Sequence, residues 1–369
     1  MKISSINTTL YRPPFPQGQT TETYCLVELG CDRDLTGIAI SREWTTPIIV
    51  ELFKHCLIDE DPRATGGLWQ RMQAFANHHG HGSLIHQAIG ALDVALWDLK
   101  AKLNNEPLWK TLGGSQPRAK VHASIKSTEL EGDALQQQFN DLVNRFGIQD
   151  AKLLLGNDLA SNIDRLHIVR QALQQNSSSP MLMVDACQSW TRSEAIRKIA
   201  AIEQQFDITF VEAPCAHWDF ISAKCISDNI RAAVCNGAEL STLGDFLPHF
   251  HHRAIDVVQA NVLVSGITGL LQLADTAFGF ELPITLAHSP GNFLTHVAGA
   301  LPYFMTMEVT EFENSNTDII TSNVVIRDGW ATVGDDAGNG LAVNRDSLAK
   351  VAITSSPFLL SVAKTGATQ

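Results

Sequence analysis

Apolar positions along this chain recur with two different periods, and the change of period divides it. Residues 1–45 alternate in short runs, such as Tyr24-Cys25-Leu26-Val27-Glu28-Leu29 and Gly37-Ile38-Ala39-Ile40, which is the pattern of a β-meander. Between the runs, Arg12-Pro13-Pro14-Phe15-Pro16-Gln17-Gly18-Gln19 is rich in Pro and Gly and predicts a turn or lid near 13–21. From Thr46 to Lys102 the period becomes helical. The clearest helix runs from Ile85 to Lys102, where Ile89, Leu92, Ala95, Leu96 and Leu99 fall at i, i+3/i+4 steps. Asn104-Asn105-Glu106-Pro107 ends it and Gly113-Gly114 marks a break, so residues 1–115 predict an α+β unit.

After Gly114 the pattern becomes regular. Strands are predicted near Val121–Ile125, Ala151–Leu155, Met181–Asp185, Ile208–Glu212, Ala232–Ala238, Val257–Val262, Ile284–His288 and Met305–Val309, with helical stretches such as Ile163–Gln174 and Ser193–Gln205 between most of them. Eight strands separated by helices predict an α/β fold of the TIM-like (β/α)8 barrel type over 116–312, rather than a doubly wound sheet of five or six strands. No Gly-x-Gly-x-x-Gly follows a first strand, so a dinucleotide site has no support. Short apolar runs at Ile319-Ile320 and Val324-Val325-Ile326 predict that 313–369 returns to the first unit. The capping domain is then built from the N-terminal part and the C-terminal tail.

Composition narrows the function classes. A hydrophobic share of 44% with 18% charged residues is that of a soluble globular chain. A net charge of −12 argues against nucleic acid and anionic membrane as partners, though a bound divalent cation can still invert the field for a small anion. The seven cysteines are scattered without a Cys-x-x-Cys pair, which predicts reduced thiols in a cytoplasmic protein. The start lacks the apolar core of a signal peptide, and no stretch approaches the roughly 20 apolar residues of a membrane span.

The chemistry lies at the predicted strand ends. Asp185, Glu212 and Glu239 each close an apolar run, 27 residues apart. On adjacent parallel strands the three carboxylates emerge from one edge, and in a closed barrel they converge. Their repulsion calls for a cation, and hard oxygen ligands favour Mg²⁺. Read in order, the other strand ends bring Lys126, Lys152, Asn261, His288 and Glu308 to the same side.

This order of motifs resembles the enolase superfamily, in its mandelate racemase/muconate lactonizing branch. The resemblance covers nearly the whole chain. It rests on Ala91-Leu92-Asp93-Val94-Ala95-Leu96-Trp97-Asp98-Leu99-Lys100 before the barrel, Val184-Asp185-Ala186, Val211-Glu212-Ala213-Pro214, Gly237-Ala238-Glu239, and Val258-Gln259-Ala260-Asn261 with Gly266-Ile267-Thr268-Gly269. The resemblance implies that Asp185, Glu212 and Glu239 bind Mg²⁺, which stabilises an enediolate formed by α-proton abstraction from a carboxylate substrate. It also implies a homo-oligomer. Three positions depart from the family pattern. Leu154 stands where a second strand-two lysine base is usual, Asn261 stands for the Asp that pairs with the strand-seven His, and Cys187 stands for a strand-three Asn.

The expected activity is that of a Mg²⁺-dependent lyase or isomerase on a hydroxy-carboxylate, foremost an acid-sugar dehydratase. His288 is the favoured acid/base and Lys152 the second candidate. Glu308 is expected to hydrogen-bond the enediolate if protonated, and Asn261 to orient the ring without charging it. The missing lysine disfavours two-base racemisation, and the alternatives are a metal- and ligand-binding relative with little or no catalytic activity or a racemase/epimerase that uses atypical bases. Lys126 reads as a solvated loop lysine, the histidines at 78–81 and 249–252 as surface or lid positions, and Cys187 and Cys215 as small core residues.

Overall fold

The computed structural model describes residues 1–13, 22–310, 312 and 319–358. Residues 14–21, nearly all of the expected lid, lie outside the described residues. The N-terminal meander is β1 (Ile3–Tyr11), β2 (Tyr24–Cys31) and β3 (Thr36–Arg42), paired antiparallel in sequence order. Four α-helices follow: α1 (Thr46–Leu52), α2 (Thr65–His79), α3 (Ser83–Leu103) and α4 (Leu108–Thr111). The stripe that predicted α3 is its core face, with Ile89, Leu92, Ala95, Leu96 and Leu99 all fully buried.

The barrel strands are β4 (Arg118–Ile125), β5 (Ala151–Leu154), β6 (Leu182–Asp185), β7 (Phe210–Glu212), β8 (Ala233–Asn236), β9 (Val257–Ala260), β10 (Ile284–Leu286) and β11 (Phe304–Val309). Each pairs parallel with the next, and β11 pairs parallel with β4, closing an eight-stranded barrel. The connecting helices are α5 (Gly132–Phe146), α6 (Leu159–Leu173), α7 (Arg192–Ile202), α8 (Phe220–Ser227), α9 (Leu243–His251), α10 (Val262–Gly279) and α11 (Thr295–Ala298). Several start on side-chain caps: Asp158 for α6, a Thr191–Glu194 capping box for α7 and a Thr242–Asp245 box for α9. By length and composition α10 could cross a membrane, but it packs on α3 and β9, which accounts for its apolar faces.

The tail divides between both units. It forms β12 (Ile320–Ser322), β13 (Val325–Arg327), β14 (Trp330–Thr332), β15 (Leu341–Val343), α12 (Arg345–Val351) and β16 (Ala352–Phe358). The β13–β14 hairpin lies antiparallel on β4 of the barrel, while β16 lies antiparallel on β1.

Two buried carboxylates on α3 tie the pieces together. Asp98 accepts from Ile38 N at 2.7 Å, Asn339 N at 2.7 Å and Lys102 Nζ at 2.6 Å, joining meander, helix and tail. Asp93 accepts from Thr268 N and Thr268 Oγ1, both at 2.7 Å, joining α3 to α10 of the barrel. Gly266 is required there: its φ is +66°, and a Cβ would lie 2.7 Å from Asp93 Oδ2.

Candidate active site

Strand alternation decides what the barrel encloses. Val121, Ala123 and Ile125 of β4, Ala151 and Leu153 of β5, Val184 and Val211 pack outward in the main core. Met183, Phe210, Cys235 and Val257 form a separate cluster within the ring of strands. The residues that alternate with the outward set (His122, Ser124 and then Lys126; Lys152 and Leu154; Asp185; Glu212; Glu308) therefore share the interior face. Leu154 pairs with Asp185, Asp185 with Glu212, and Glu212 with Cys235, so these four stand level at the strand ends.

Lys152 is the buried cation of this end. Its Nζ hydrogen-bonds Glu212 Oε2 at close range and lies 3.3 Å from Glu308 Oε2. Burial alone would lower its pKa, but the carboxylates of Glu212, Glu308 and Asp185 outweigh that and raise it, so Lys152 is held as ammonium. Burial pushes Asp185 and Glu212 up, against the pull of Lys152. Glu308 goes the other way. Burial would raise it, but Lys152, Lys126 and His288 draw it well below the usual carboxylate range. These cations favour the ionised form of Glu308, whereas its expected bond to the enediolate requires the protonated one.

His288 lies just past β10, and its Nδ1 is 3.0 Å from Lys126 Nζ. Lys126 also lies 3.8 Å from Glu308 Oε1, so it belongs to the charged cluster although its side chain is 53% exposed. Reading it as a solvated loop lysine missed this. The available signal was alternation, since His122, Ser124 and Lys126 fall on one face. Burial first, then Lys126, Lys152 and Arg42, press the His288 pKa down to about 4 against the opposing Glu308. Arg42 closes β3 and pairs with Glu22, whose carboxyl also feels Lys126, so this end of the meander faces the barrel mouth. No local sequence signal brings Arg42 there.

Asn261 is diverted from the ring. Its Oδ1 accepts from Leu263 N at 3.0 Å as the N-cap of α10, and its Nδ2 donates to Ala238 O at 3.2 Å. The expected orienting bond to His288 is replaced by helix capping, for which Asn is among the preferred residues.

Glu239 sits beyond the expected strand end. β8 stops at Asn236, and Glu239 is exposed in the turn that follows, on the wall of a cavity of about 450 Å³ shared with His81, His217, Asp245 and His249. Cys187 is exposed rather than core-packed, and its thiol is pushed up by partial burial and by Asp185, Glu212 and Glu239 together. Asp185 and Glu212 are followed by left-handed residues, Cys187 at φ +46° with Gln188 at +59°, and Ala213 at +43°. Such strain concentrates at functional loops. Gln188 Oε1 then accepts from His217 N at 3.0 Å, joining the loops after β6 and β7. Of the histidine clusters, His81 is exposed and 3.2 Å from Asp245, whereas His249 is fully buried rather than at the surface.

The donor set suits a hard divalent cation: oxygen ligands only, on carboxylates that burial raises in spite of the pull of Lys152. As the side chains stand, no three His, Cys, Asp or Glu groups among the described residues lie close enough together to hold a metal ion.

Fold and site define a capped, closed (β/α)8 barrel with an ionic cluster at the carboxyl ends of its strands. Residues 11–113 match the mandelate racemase/muconate lactonizing enzyme N-terminal domain and residues 134–347 the enolase C-terminal domain-like family, and the chain belongs to this family. A 3,6-anhydro-alpha-L-galactonate cycloisomerase of Streptomyces coelicolor is 26% identical, over 95% of this chain and 99% of the relative. The structure of a racemase from Streptomyces coelicolor with bound magnesium superposes with a TM-score of 0.87 at 25% identity, covering 95% of this chain and all of that one. An L-talarate dehydratase from Polaromonas, in complex with Mg and L-glucarate, gives a TM-score of 0.82 at 26% identity, covering 96% of this chain and 98% of that one.

Proposed function

We propose that this chain is a Mg²⁺-dependent lyase or isomerase that removes the α-proton of a hydroxy-carboxylate, with dehydration of an acid sugar as its reaction. The observation that carries this reading is the level pair Asp185–Glu212 on neighbouring strands, in a cluster whose carboxylates outnumber its buried cation. With Glu239 from the next turn, this pair would hold the metal. Bound Mg²⁺ supplies positive charge to offset the negative charge that develops on the substrate carboxylate. Lys152, fixed as ammonium, adds to that field and is not free to act as a base. His288 is the acid/base candidate, and Leu154 offers no second base level with the carboxylate pair, which favours one-base elimination or isomerisation. The L-talarate dehydratase likeness supports an acid sugar as substrate. By the pattern of its family, we also propose that the chain assembles as a homo-oligomer.

The end-to-end match to a cycloisomerase supports a second reading, cyclisation or ring opening of an anhydro-sugar acid. One panel separates the two: five- and six-carbon aldonic and aldaric acids plus 3,6-anhydro-sugar acids, each with Mg²⁺ and with excess EDTA. A 2-keto-3-deoxy product that requires Mg²⁺ is expected. Binding of the acids without turnover of any panel member would leave a non-catalytic binding protein and overturn the enzyme reading.

A further inference from the structure

We propose that Lys126 fixes the tautomer and charge of His288, holding the imidazole neutral with its proton on Nε2. Lys126 acts here as a positioning residue, not as a base. An ammonium has three donors and no acceptor, so the 3.0 Å contact to Nδ1 makes that nitrogen the acceptor and leaves the ring proton on Nε2. The 3.8 Å ion pair with Glu308 anchors the lysine beside the ring.

Register explains how a lysine comes to be there. Ile125 pairs with Leu153, so Lys126, one residue on, stands level with Leu154 across the β4–β5 boundary. The amine absent at position 154 is present at the same height just past β4, on the side that reaches His288. Asn261 does not compete for Nδ1, since its side chain is committed to Leu263 N and Ala238 O. The charged groups acting on the ring are Lys126 from the end of β4, Lys152 from β5, Arg42 from β3 of the cap and Glu308 from β11. Three cations and burial oppose a single carboxylate, and all three cations resist a charged ring.

The consequence is directional. In this state His288 donates a hydrogen bond through Nε2–H. It accepts a proton at Nε2 only after the ring proton has moved to Nδ1, which requires Lys126 to give up its donation there. The inference concerns the site of the proposed reaction, but its test needs no substrate, so either can fail without the other.

Full-length protein labelled with ¹⁵N-histidine is followed by NMR from pH 4 to 9 in Mg²⁺ buffer, with His288→Gln used for assignment. The wild type is expected to show an unprotonated Nδ1 and a protonated Nε2 at neutral pH, without charging above about pH 5. Lys126 is half-exposed, so Lys126→Met should fold, and its His288 midpoint should rise by about one unit or more. Lys126→Arg, which keeps a cationic donor, should hold the ring neutral. A proton on Nδ1 in the wild type, or an unmoved tautomer and midpoint in Lys126→Met, overturns the assignment.

Discussion

Lys152 Nζ lies 3.3 Å from Glu308 Oε2, a contact across the barrel end between side chains exposed by only 2% and 4%. The same ammonium serves Glu212, so one buried cation answers two buried carboxylates. Removing one member of such a set strands the others, at a cost of about 3–5 kcal/mol. Lys152→Met keeps the volume and deletes the charge. Urea unfolding in EDTA should show a loss of roughly 3 kcal/mol, and saturating Mg²⁺ should restore more stability to this variant than it adds to the wild type. Equal stability in EDTA would mean that Glu212 and Glu308 are not ionised together.

Glu212 is the central carboxylate of the proposed metal site. Glu212→Gln keeps an oxygen at the position but removes the charge. Calorimetry should show Mg²⁺ affinity reduced at least about tenfold, with the far-ultraviolet spectrum unchanged. Because burial raises Asp185 and Glu212 and both must be ionised to bind, wild-type affinity should also weaken as pH falls. A Glu212→Gln variant with unchanged affinity removes Glu212 from the site.

Much of this architecture was legible in the sequence, for identifiable reasons. The barrel strands are short apolar runs that face outward on helices, so their outward residues announced them, and each predicted run overlaps an observed strand. The carboxylates of Asp185 and Glu212 were legible because a strand end is a local feature. Strand length was not: Glu239 lies three residues beyond the last residue of β8, in a turn that its apolar run did not reveal. Contacts between distant segments were least legible. Asn261 looked like a ring partner, yet the helix start next to it claims its side chain. Lys126 looked like a loop lysine, yet it meets a histidine 162 residues away. Only closure of the barrel by β11 on β4 makes that meeting possible.

Asp93, wholly buried against Thr268, gives stability a pH dependence remote from the active site. Burial raises its pKa to about 7 against the hydrogen bonds from Thr268 and Ile267. The folded state therefore holds this proton more tightly than the unfolded chain, where a carboxyl titrates near 3.9. Between these values the native state binds more protons, so this contribution is present below about pH 4 and is lost as pH rises toward 7. Its full size is at most about 4 kcal/mol. Asp93→Asn retains an oxygen for the backbone N–H groups and should flatten the stability profile between pH 4 and 7. An unchanged slope in paired urea titrations would show that Asp93 is ionised throughout.

Asn261→Asp tests whether the ring-partner position can be refilled. At an N-cap, Asp is as favourable as Asn, and its charge gains about 0.3–1 kcal/mol from the helix dipole. The new carboxylate keeps the bond from Leu263 N but loses the donation to Ala238 O and faces that carbonyl oxygen instead, at the 3.2 Å Asn261 now spans. Stability should therefore change by no more than about 1 kcal/mol. Because the cap holds the side chain away from His288, and Lys126 already occupies Nδ1, the added charge should do little for the ring. On a substrate from the acid panel, turnover should change less than about threefold, and the His288 midpoint should move less than in Lys126→Met. A carboxylate that left the cap for the imidazole would give the opposite: a less stable α10 start, a His288 midpoint raised by a unit or more, and faster proton removal. That result would show that neither the cap nor Lys126 keeps a carboxylate at 261 from the ring.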